Sequence, residues 1–248
     1  MDFSGRVVLI TGGASGMGAV TAREFQAAGA TVVMVDRNQE KVQQLAGELK
    51  VDAPLVGDVS NPDFCGETVA ITLSRHGRLD VLVNAAGIIV RADAGGTSNE
   101  QWQQVMNVNV NGVFFMSRAA IAPMKQQRSG AIVNFGSIWG DLGSTGVVAY
   151  CASKGAVHQI TRAMALDHVR DGIRINAVCP GEVNTPMLAA ERKEPVTPEL
   201  MDRVAQSVPL GRLAEPVEVA RVVLFLASEA ASYMTGTLVN VDGGYTAR

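Results

Sequence analysis

The sequence predicts an α/β protein, a doubly wound parallel sheet of about seven strands with helices on both faces. Three observations predict it. Short apolar runs such as RVVLIT and TVVMVD are bounded by glycine and polar turns, as strands covered on both faces are. Longer stretches with helical spacing separate these runs, and the alternation continues to the end of the chain. The first two runs are joined by GGASGMG and a helical segment within about thirty residues, the βαβ unit that binds dinucleotides.

The elements follow in order. Arg6 to Thr11 is the first strand, and AVTAREFQAAGA after the glycine turn is the first helix. The glycines stand as Gly12-x-x-x-Gly16-x-Gly18, with Ser15 and Met17 between them, not as Gly-x-Gly-x-x-Gly. The physics is shared, because glycines let main-chain amides approach a pyrophosphate at a helix N-terminus. Thr31 to Asp36 is the second strand, and Asp36 falls at its carboxyl end. A carboxylate there accepts both ribose hydroxyls of NAD and repels a 2′-phosphate. Arg37 follows and could face such a phosphate, but Ser15 rather than a basic residue precedes Gly16, so NAD is expected over NADP.

Asn38 to Lys50 reads as a helix, Pro54 to Gly57 as a short strand, and Pro62 to Arg75 as a helix. Leu79 to Val83 is a buried strand followed by Asn84, Ala85, Ala86 and Gly87. Residues 100 to 128 are helical with an interruption expected near Pro123. Ala131 to Phe135 is a strand, Tyr150 to Val169 a helix, and Ile173 to Val178 a strand. Residues 182 to 212, with Pro186, Pro195, Pro198 and Pro209, read as irregular. Pro216 to Ala227 is a helix and Leu238 to Val241 the last strand.

Composition narrows the function. The 248 residues suffice for one well-buried domain, expected to span 1–248. A net charge of -3 without a basic cluster argues against a nucleic-acid partner. No 18-residue apolar run exists, so no membrane partner is expected, and the N-terminus goes straight into a strand. Cys65, Cys151 and Cys179 are odd in number and far apart, which favours a reduced, cytoplasmic setting. His76, His158 and His168 show no metal-ligand spacing and read as helix-surface residues.

Chemistry concentrates in SIWGDLGSTGVVAYCASK, residues 137 to 154. If Tyr150 opens a helix, Lys154 lies one turn on, on the same face. An ammonium about 4 Å from a phenol, at an effective dielectric of about 20, favours the phenolate by roughly 4 kcal/mol. Before desolvation is subtracted, that brings a tyrosine hydroxyl from about 10 towards neutral pH, where it can accept a proton. The pair alone is a weak signal and needs Ser137, a cofactor loop and a fourth polar residue to become a site. Such residues do converge. The glycine loop, Asp36, Asp58, Asn84, Ser137 and the Pro180-Gly181 turn all fall at strand carboxyl ends, where doubly wound sheets bind ligands.

Over essentially its whole length the chain resembles the short-chain dehydrogenase/reductase family, in its single-domain branch with a Rossmann-type sheet. The matching pieces are TGGASGMG at 11–18, Asp58-Val59, NAAG at 84–87, Asn109 within NVNVNG, Ser137, Tyr150-x-x-x-Lys154, PGEVNT at 180–185 and TGTLVNVDGG near the C-terminus. Departures are few; the segment before Asp58 is short.

The resemblance implies a tetrad of Asn109, Ser137, Tyr150 and Lys154. Tyr150 would be the general base in oxidation and the acid in reduction. Lys154 would lower its pKa and hold the nicotinamide ribose. Ser137 would bond the substrate oxygen, and Asn109 would hold a relaying water. Pro180, Gly181, Val183 and Thr185 would grip the carboxamide, Asp58 and Val59 would flank the adenine, and Asn84, Ala85 and Gly87 would line the cofactor. The expected activity is NAD-dependent interconversion of a secondary alcohol and a ketone, without a metal. A 3-oxoacyl-thioester reductase using NADPH and a non-catalytic NAD(H)-sensing protein are the alternatives.

Residues 182 to 210 are expected to form a lid with Met187, Leu188 and Leu200 on its apolar face and Arg192 or Lys193 within reach of an anion. Ser137, Trp139, Tyr150, Glu182 and Met187 are the expected substrate contacts. With Asp141, Ser144, Arg91 and Asp93 expected near the mouth, the substrate should be a small polar alcohol such as a sugar, polyol or hydroxy acid. Apolar residues on more than one face of the helices at 100–128 and 150–170, together with the resemblance, imply a homotetramer.

Overall fold

The computed structural model describes residues 1–190 and 195–247. Seven strands form one sheet: β1 (Val7–Thr11), β2 (Thr31–Asp36), β3 (Leu55–Val56), β4 (Val81–Asn84), β5 (Gly130–Phe135), β6 (Ile173–Pro180) and β7 (Leu238–Val241). Their order is β3-β2-β1-β4-β5-β6-β7, and every pair is parallel. This is the predicted Rossmann-type sheet. The chain winds outward from β1 through β3, then returns to lay β4 on the other side of β1. Crossovers therefore leave in opposite directions from β1 and β4, and a crevice opens beyond their carboxyl ends. The register Thr11↔Asn84↔Asn134 sets three polar side chains across that crest.

The helices are α1 (Gly16–Ala27), α2 (Gln39–Leu49), α3 (Pro62–His76), α4 (Asn99–Met106), α5 (Gly112–Gln127), α6 (Val148–His168), α7 (Pro198–Ser207) and α8 (Pro216–Ala227). They make two cores because strand side chains alternate. Val8 and Ile10 pack with Phe25 and Val223 on one face, while Val7 and Leu9 pack with Met116 and Met124 on the other. Burying each such side chain stabilises the fold by roughly 1.5–3 kcal/mol. Both faces of the strand are apolar for this reason, and the continuous run in the sequence follows from it.

Local chemistry sets the helix ends. Asn38 and Asn61 accept main-chain N–H bonds at the starts of α2 and α3, and Ser98 with Gln101 forms a capping box on α4. The start of α1 differs. Ser15 makes no side-chain cap there and no acid stands in the first turn. That leaves the N-terminal amides and the positive end of the helix dipole for an anion.

Two expectations are corrected. The break in the 100–128 segment is not at Pro123, which is buried inside an unbroken α5. Packing of Met116, Ala120 and Met124 against the sheet holds that helix through the missing N–H. The break falls instead at Asn107–Asn111, a single π turn between α4 and α5. Residues 182 to 212 also hold more order than expected, a short 3₁₀ turn at Pro186–Leu188 and the ten-residue α7. Thr197 caps α7 by accepting from the Leu200 N–H, and Pro198 occupies its first position, where proline starts a helix and does not break one. No described helix is long and apolar enough to cross a membrane.

Candidate active site

A groove of about 290 Å³ runs along the crevice. Gly12, Ser15, Gly16, Met17, Gly18, Asp36, Arg37, Asp58, Val59, Ala85, Gly87 and Thr185 all line it, as expected from the sequence. Its glycines are required by contact. Gly12 has φ +67°, and a Cβ on it would lie 2.7 Å from the Ala86 nitrogen. A Cβ on Gly18 would collide with the Gly12 carbonyl. The loop is thus drawn tight under the free N-terminus of α1. That cradle suits the pyrophosphate of a dinucleotide. Asp36 is tied to the same loop, accepting from the Ala14 N–H at 3.0 Å and from the Asn38 N–H at 2.9 Å. Lys41 also lines the groove beside Arg37. The sequence reading missed this second cation, which its place in the first turn of α2, just past Asp36, could have flagged.

Asn84 is placed otherwise than expected. It is 2% exposed, and its amide donates to Ser117 Oγ at 3.0 Å and to Asn134 Oδ1 at 2.9 Å. Asn134 in turn donates to Thr161 Oγ1 at 2.9 Å. The side chain of Asn84 therefore ties β4 to α5 and β5, with Asn134 carrying the link on to α6, and does not line the groove.

A second cavity of about 80 Å³ adjoins the groove and shares Met17, Thr185 and Met187 with it. Ser137, Trp139, Tyr150, Pro180, Gly181, Glu182 and Val183 line it, together with Ile89 and Arg91. Of the polar residues expected at its mouth, only Arg91 lines it. Asp141 turns inward to His158, Asp93 accepts from the Gly96 N–H, and Ser144 is not among the lining residues. Arg91 donates to the Ala190 carbonyl at 3.0 Å, tying the root of the 182–210 segment to the cavity wall. Met187 and Leu188 face the cavity, whereas Leu200 does not. Arg192 and Lys193 lie outside the described residues.

Four side chains converge at the junction of the two spaces. Ser137 ends the exit of β5 and caps a short turn, its Oγ accepting from the Trp139 N–H at 3.2 Å. Tyr150 stands in the first turn of α6, edge-on to Trp139 with ring centroids 6.4 Å apart. Burial pushes the Tyr150 phenol up to about 12, and a hydrogen bond with Ser137 pulls against this. Lys154 is buried one turn on, its Nζ donating to the Phe135 carbonyl at 2.7 Å and lying 5.5 Å from the centre of the Tyr150 ring. Burial pushes that ammonium down to about 8.

The expected depression of the tyrosine is therefore not what the pocket produces by itself. Desolvation disfavours both charges and is the largest influence on each group. Asn109 is fully buried in the π turn. Its Oδ1 accepts from the Ile88 N–H at 2.8 Å, and its Nδ2 donates to the Ile88 carbonyl at 2.9 Å and to Ser153 Oγ at 3.0 Å. It clamps the chain just past Gly87 onto α6. A Cβ on Gly87 would lie 3.5 Å from Asn109 Oδ1 and 3.8 Å from Lys154 Nζ, so both polar tips sit directly beneath the groove wall.

His158 corrects the sequence reading, whereas His76 and His168 are partly exposed at helix ends, as expected. His158 is 1% exposed, its Nδ1 3.1 Å from Asp141 Oδ1 and its Nε2 3.3 Å from Cys179 Sγ. His168 pairs with Asp171 at 3.1 Å, and His76 lies 3.3 Å from Asp52.

Known proteins place this arrangement. A family model described as enoyl-(acyl carrier protein) reductase matches residues 12–246. Meso-2,3-butanediol dehydrogenase of Serratia marcescens is 42% identical over 100% of this chain and 97% of its own. Galactitol 2-dehydrogenase (L-tagatose-forming) of Cereibacter sphaeroides is 42% identical over 98% of this chain and 95% of its own. A 3-oxoacyl-[acyl-carrier-protein] reductase of Thermotoga maritima is 40% identical over 98% and 99% respectively. Among solved structures, a 3-ketoacyl-(acyl-carrier-protein) reductase from Brucella melitensis complexed with NADH superposes with TM-score 0.91 at 33% identity, covering 98% of this chain and 99% of that one. The structure of a gluconate 5-dehydrogenase from Beutenbergia cavernae, described as putative, NAD(P)-dependent and with bound NADP at low occupancy, gives 0.92 at 35% identity over 100% and 99%.

Proposed function

Since this chain belongs to the short-chain dehydrogenase/reductase family, we propose that it interconverts a small polar secondary alcohol and its ketone, with NAD as the hydride carrier. Like its relatives it is an NAD(P)-dependent oxidoreductase acting on CH–OH groups. The observation that carries the finer reading is the meeting of the Ser137 and Tyr150 side chains in a cavity of about 80 Å³ that opens onto the dinucleotide groove.

The residues present fit the cofactor. The Gly12–Gly18 loop and the uncapped start of α1 would hold the pyrophosphate, Asp36 the adenosine ribose, and Asp58 and Val59 the adenine edge. Ala85 and Gly87 would form the floor, and Pro180, Gly181, Val183 and Thr185 would hold the carboxamide end. The cofactor supplies the hydride acceptor and, when oxidised, a positive charge in a dry pocket.

The chain's own groups manage the proton. Ser137 bonds the substrate oxygen and holds it against the Tyr150 hydroxyl. With its pKa pushed up to about 12, Tyr150 rests as the phenol, the form that donates in the reducing direction. In the oxidising direction it accepts the alcohol proton, with the buried Lys154 ammonium stabilising the phenolate. Asn109 keeps Gly87 and Ile88 over Lys154, where the nicotinamide ribose would lie, and the π turn is the site for the relaying water. Trp139, Glu182 and Met187 would bound the substrate, Glu182 taking a second hydroxyl. This supports a polyol, sugar or hydroxy acid over a steroid or long acyl chain, in keeping with relatives named for butanediol and galactitol. We read residues 1–248 as one domain, and the segment from 182 to 210 as its lid. Trp102, Phe114, Leu166 and Val169 are exposed on α4 to α6 and just beyond, and would be covered in a homotetramer.

A second reading rests on one observation. Arg37 and Lys41 both line the ribose end of the groove, where they could receive a 2′-phosphate, and the Thermotoga relative is a 3-oxoacyl reductase. A single assay separates the readings. Absorbance at 340 nm is followed with NAD and with NADP against polyols, hydroxy acids and cyclic alcohols, and with NADH and NADPH against a 3-oxoacyl thioester. Fastest turnover of a small polyol or hydroxy acid with NAD supports the proposal. Best turnover of the thioester with NADPH refutes it, and no turnover with any pair returns the chain to an NAD(H)-sensing role.

A further inference from the structure

His158 is a titratable group that the proposed chemistry does not use, yet it is walled in directly behind Ser137. It projects from α6 eight residues after Tyr150. Its berth is cut into the turn that carries Ser137. A Cβ on Gly136 would lie 2.6 Å from Nε2, and a Cβ on Gly140 would collide with the ring. Both glycines flank Ser137, so the chain gives up two side chains to admit one imidazole.

The contacts assign the ring's protons. The Ser137 main-chain N–H points at Nε2 from 3.4 Å, and an amide N–H can only donate. Nε2 is therefore the acceptor, and the ring proton sits on Nδ1, donated to Asp141 Oδ1 at 3.1 Å. Cys179 Sγ lies 3.3 Å from Nε2, its thiol kept protonated by burial, and it also accepts from the Ser137 N–H. Cys179 immediately precedes the Pro180-Gly181 turn. The groups bearing on the ring are thus Asp141 from the turn after β5, Cys179 from β6, and the Lys154 and Arg162 cations from α6 itself.

We propose that His158 is a positioning residue: its neutral imidazole, oriented by Asp141, holds the main chain at Ser137 so that the Ser137 hydroxyl meets Tyr150, and protonation releases that hold. This rests on the reading of Ser137 and Tyr150 as the residues that meet the substrate oxygen. A protonated ring would present an N–H to the Ser137 N–H, itself a donor, so Ser137 would lose its bond to the imidazole and keep only the weaker one to Cys179 Sγ. Burial, with Lys154 and Arg162 adding to it, keeps the ring below the ordinary histidine range against the pull of Asp141. The hold is therefore complete at neutral pH and is lost on the acid side.

The test is the pH profile of kcat from pH 4.5 to 9, at saturating substrate and cofactor, for the wild type and four variants. The wild type should lose activity on the acid side. His158→Gln places an untitratable amide oxygen where Nε2 stands. It should keep kcat within about threefold at pH 8 and lose the acid limb. Asp141→Asn keeps an acceptor for Nδ1 but removes the anion, so its acid limb should move to lower pH. His158→Leu leaves the Ser137 N–H with only the weak Cys179 sulfur acceptor and should cut kcat at pH 8 at least about tenfold, with the Kd for NAD within about twofold of wild type. A wild type without an acid limb, a His158→Gln limb like that of the wild type, or wild-type kcat in His158→Leu would each overturn the inference. If His158→Leu does not fold, an acid limb at the wild-type position in both His158→Gln and Asp141→Asn overturns it. Ser137→Ala separates the two levels. Full activity in that variant sinks the reading of Ser137 itself, whereas an inactive Ser137→Ala beside an unaltered His158→Gln profile sinks only the role of His158.

Discussion

Lys154→Met should make the apo protein more stable at neutral pH while removing its activity, and the sign of the stability change should reverse in alkali. Burial pushes the Lys154 ammonium down to about 8. Against an ordinary ammonium near 10.4, at about 1.4 kcal/mol for each pH unit, holding the charge there costs about 3 kcal/mol. Below pH 8 the lysine is charged in both the folded and unfolded chains, so the folded chain bears the whole cost. Between about 8 and 10.4 the folded lysine gives up its proton while the unfolded one keeps it, and wild-type stability rises by that amount. Methionine fills a similar volume without charge. It also abandons the bond from Nζ to the Phe135 carbonyl, 2.7 Å in the wild type, and leaves that acceptor unmet at a cost of about 1–2 kcal/mol. The variant should then exceed the wild type by roughly 1–2 kcal/mol at pH 7 and fall below it by a similar amount above pH 10.5. Urea unfolding of the apo proteins at the two pH values, read by the fluorescence of Trp102 and Trp139, measures the difference. A variant less stable than wild type at pH 7, or a difference independent of pH, would refute the reasoning. The same variant should lose at least about a hundredfold in kcat, because no cation remains beside the phenolate.

Three further outcomes are expected. Tyr150→Phe should lower kcat at least about a hundredfold and leave the Kd for NAD, measured by fluorescence, within about twofold; a variant retaining a tenth of wild-type kcat would remove Tyr150 as the proton-transfer group. Asp36→Ser should raise the KM for NAD and relax discrimination against NADP, since the carboxylate is the element that repels a 2′-phosphate; equal use of both cofactors by the wild type would contradict this. Gly18→Ala drives a methyl into the Gly12 carbonyl, which is main chain and cannot step aside, so calorimetric affinity for NAD should fall at least about tenfold. An unchanged Kd there would mean that the loop does not bear on the pyrophosphate.

Much of this protein was legible in its sequence. The sheet was readable because its central strands are buried on both faces, which forces a continuous apolar run such as Val7–Thr11. The groove was readable because only glycine admits the close approach at Gly12 and Gly18, and the positions of Ser137, Tyr150 and Lys154 came from their spacing and the family they resemble.

Tertiary packing decided the rest. Pro123 looked like a break and is helix interior, because contacts from the sheet outweigh one missing N–H, whereas Pro198 looked like a break and starts α7. Asn84 and His158 gave no one-dimensional hint of direction, since whether a polar side chain turns to the groove or into the wall depends on partners far away in the chain. Asn134 and Ser117 claim the first, and Asp141, Ser137 and Cys179 the second. The charges of Tyr150 and Lys154 could not be read from spacing for a related reason. Spacing along a helix states how near two groups can come, but not how much water both lose, and desolvation is a property of the closed fold.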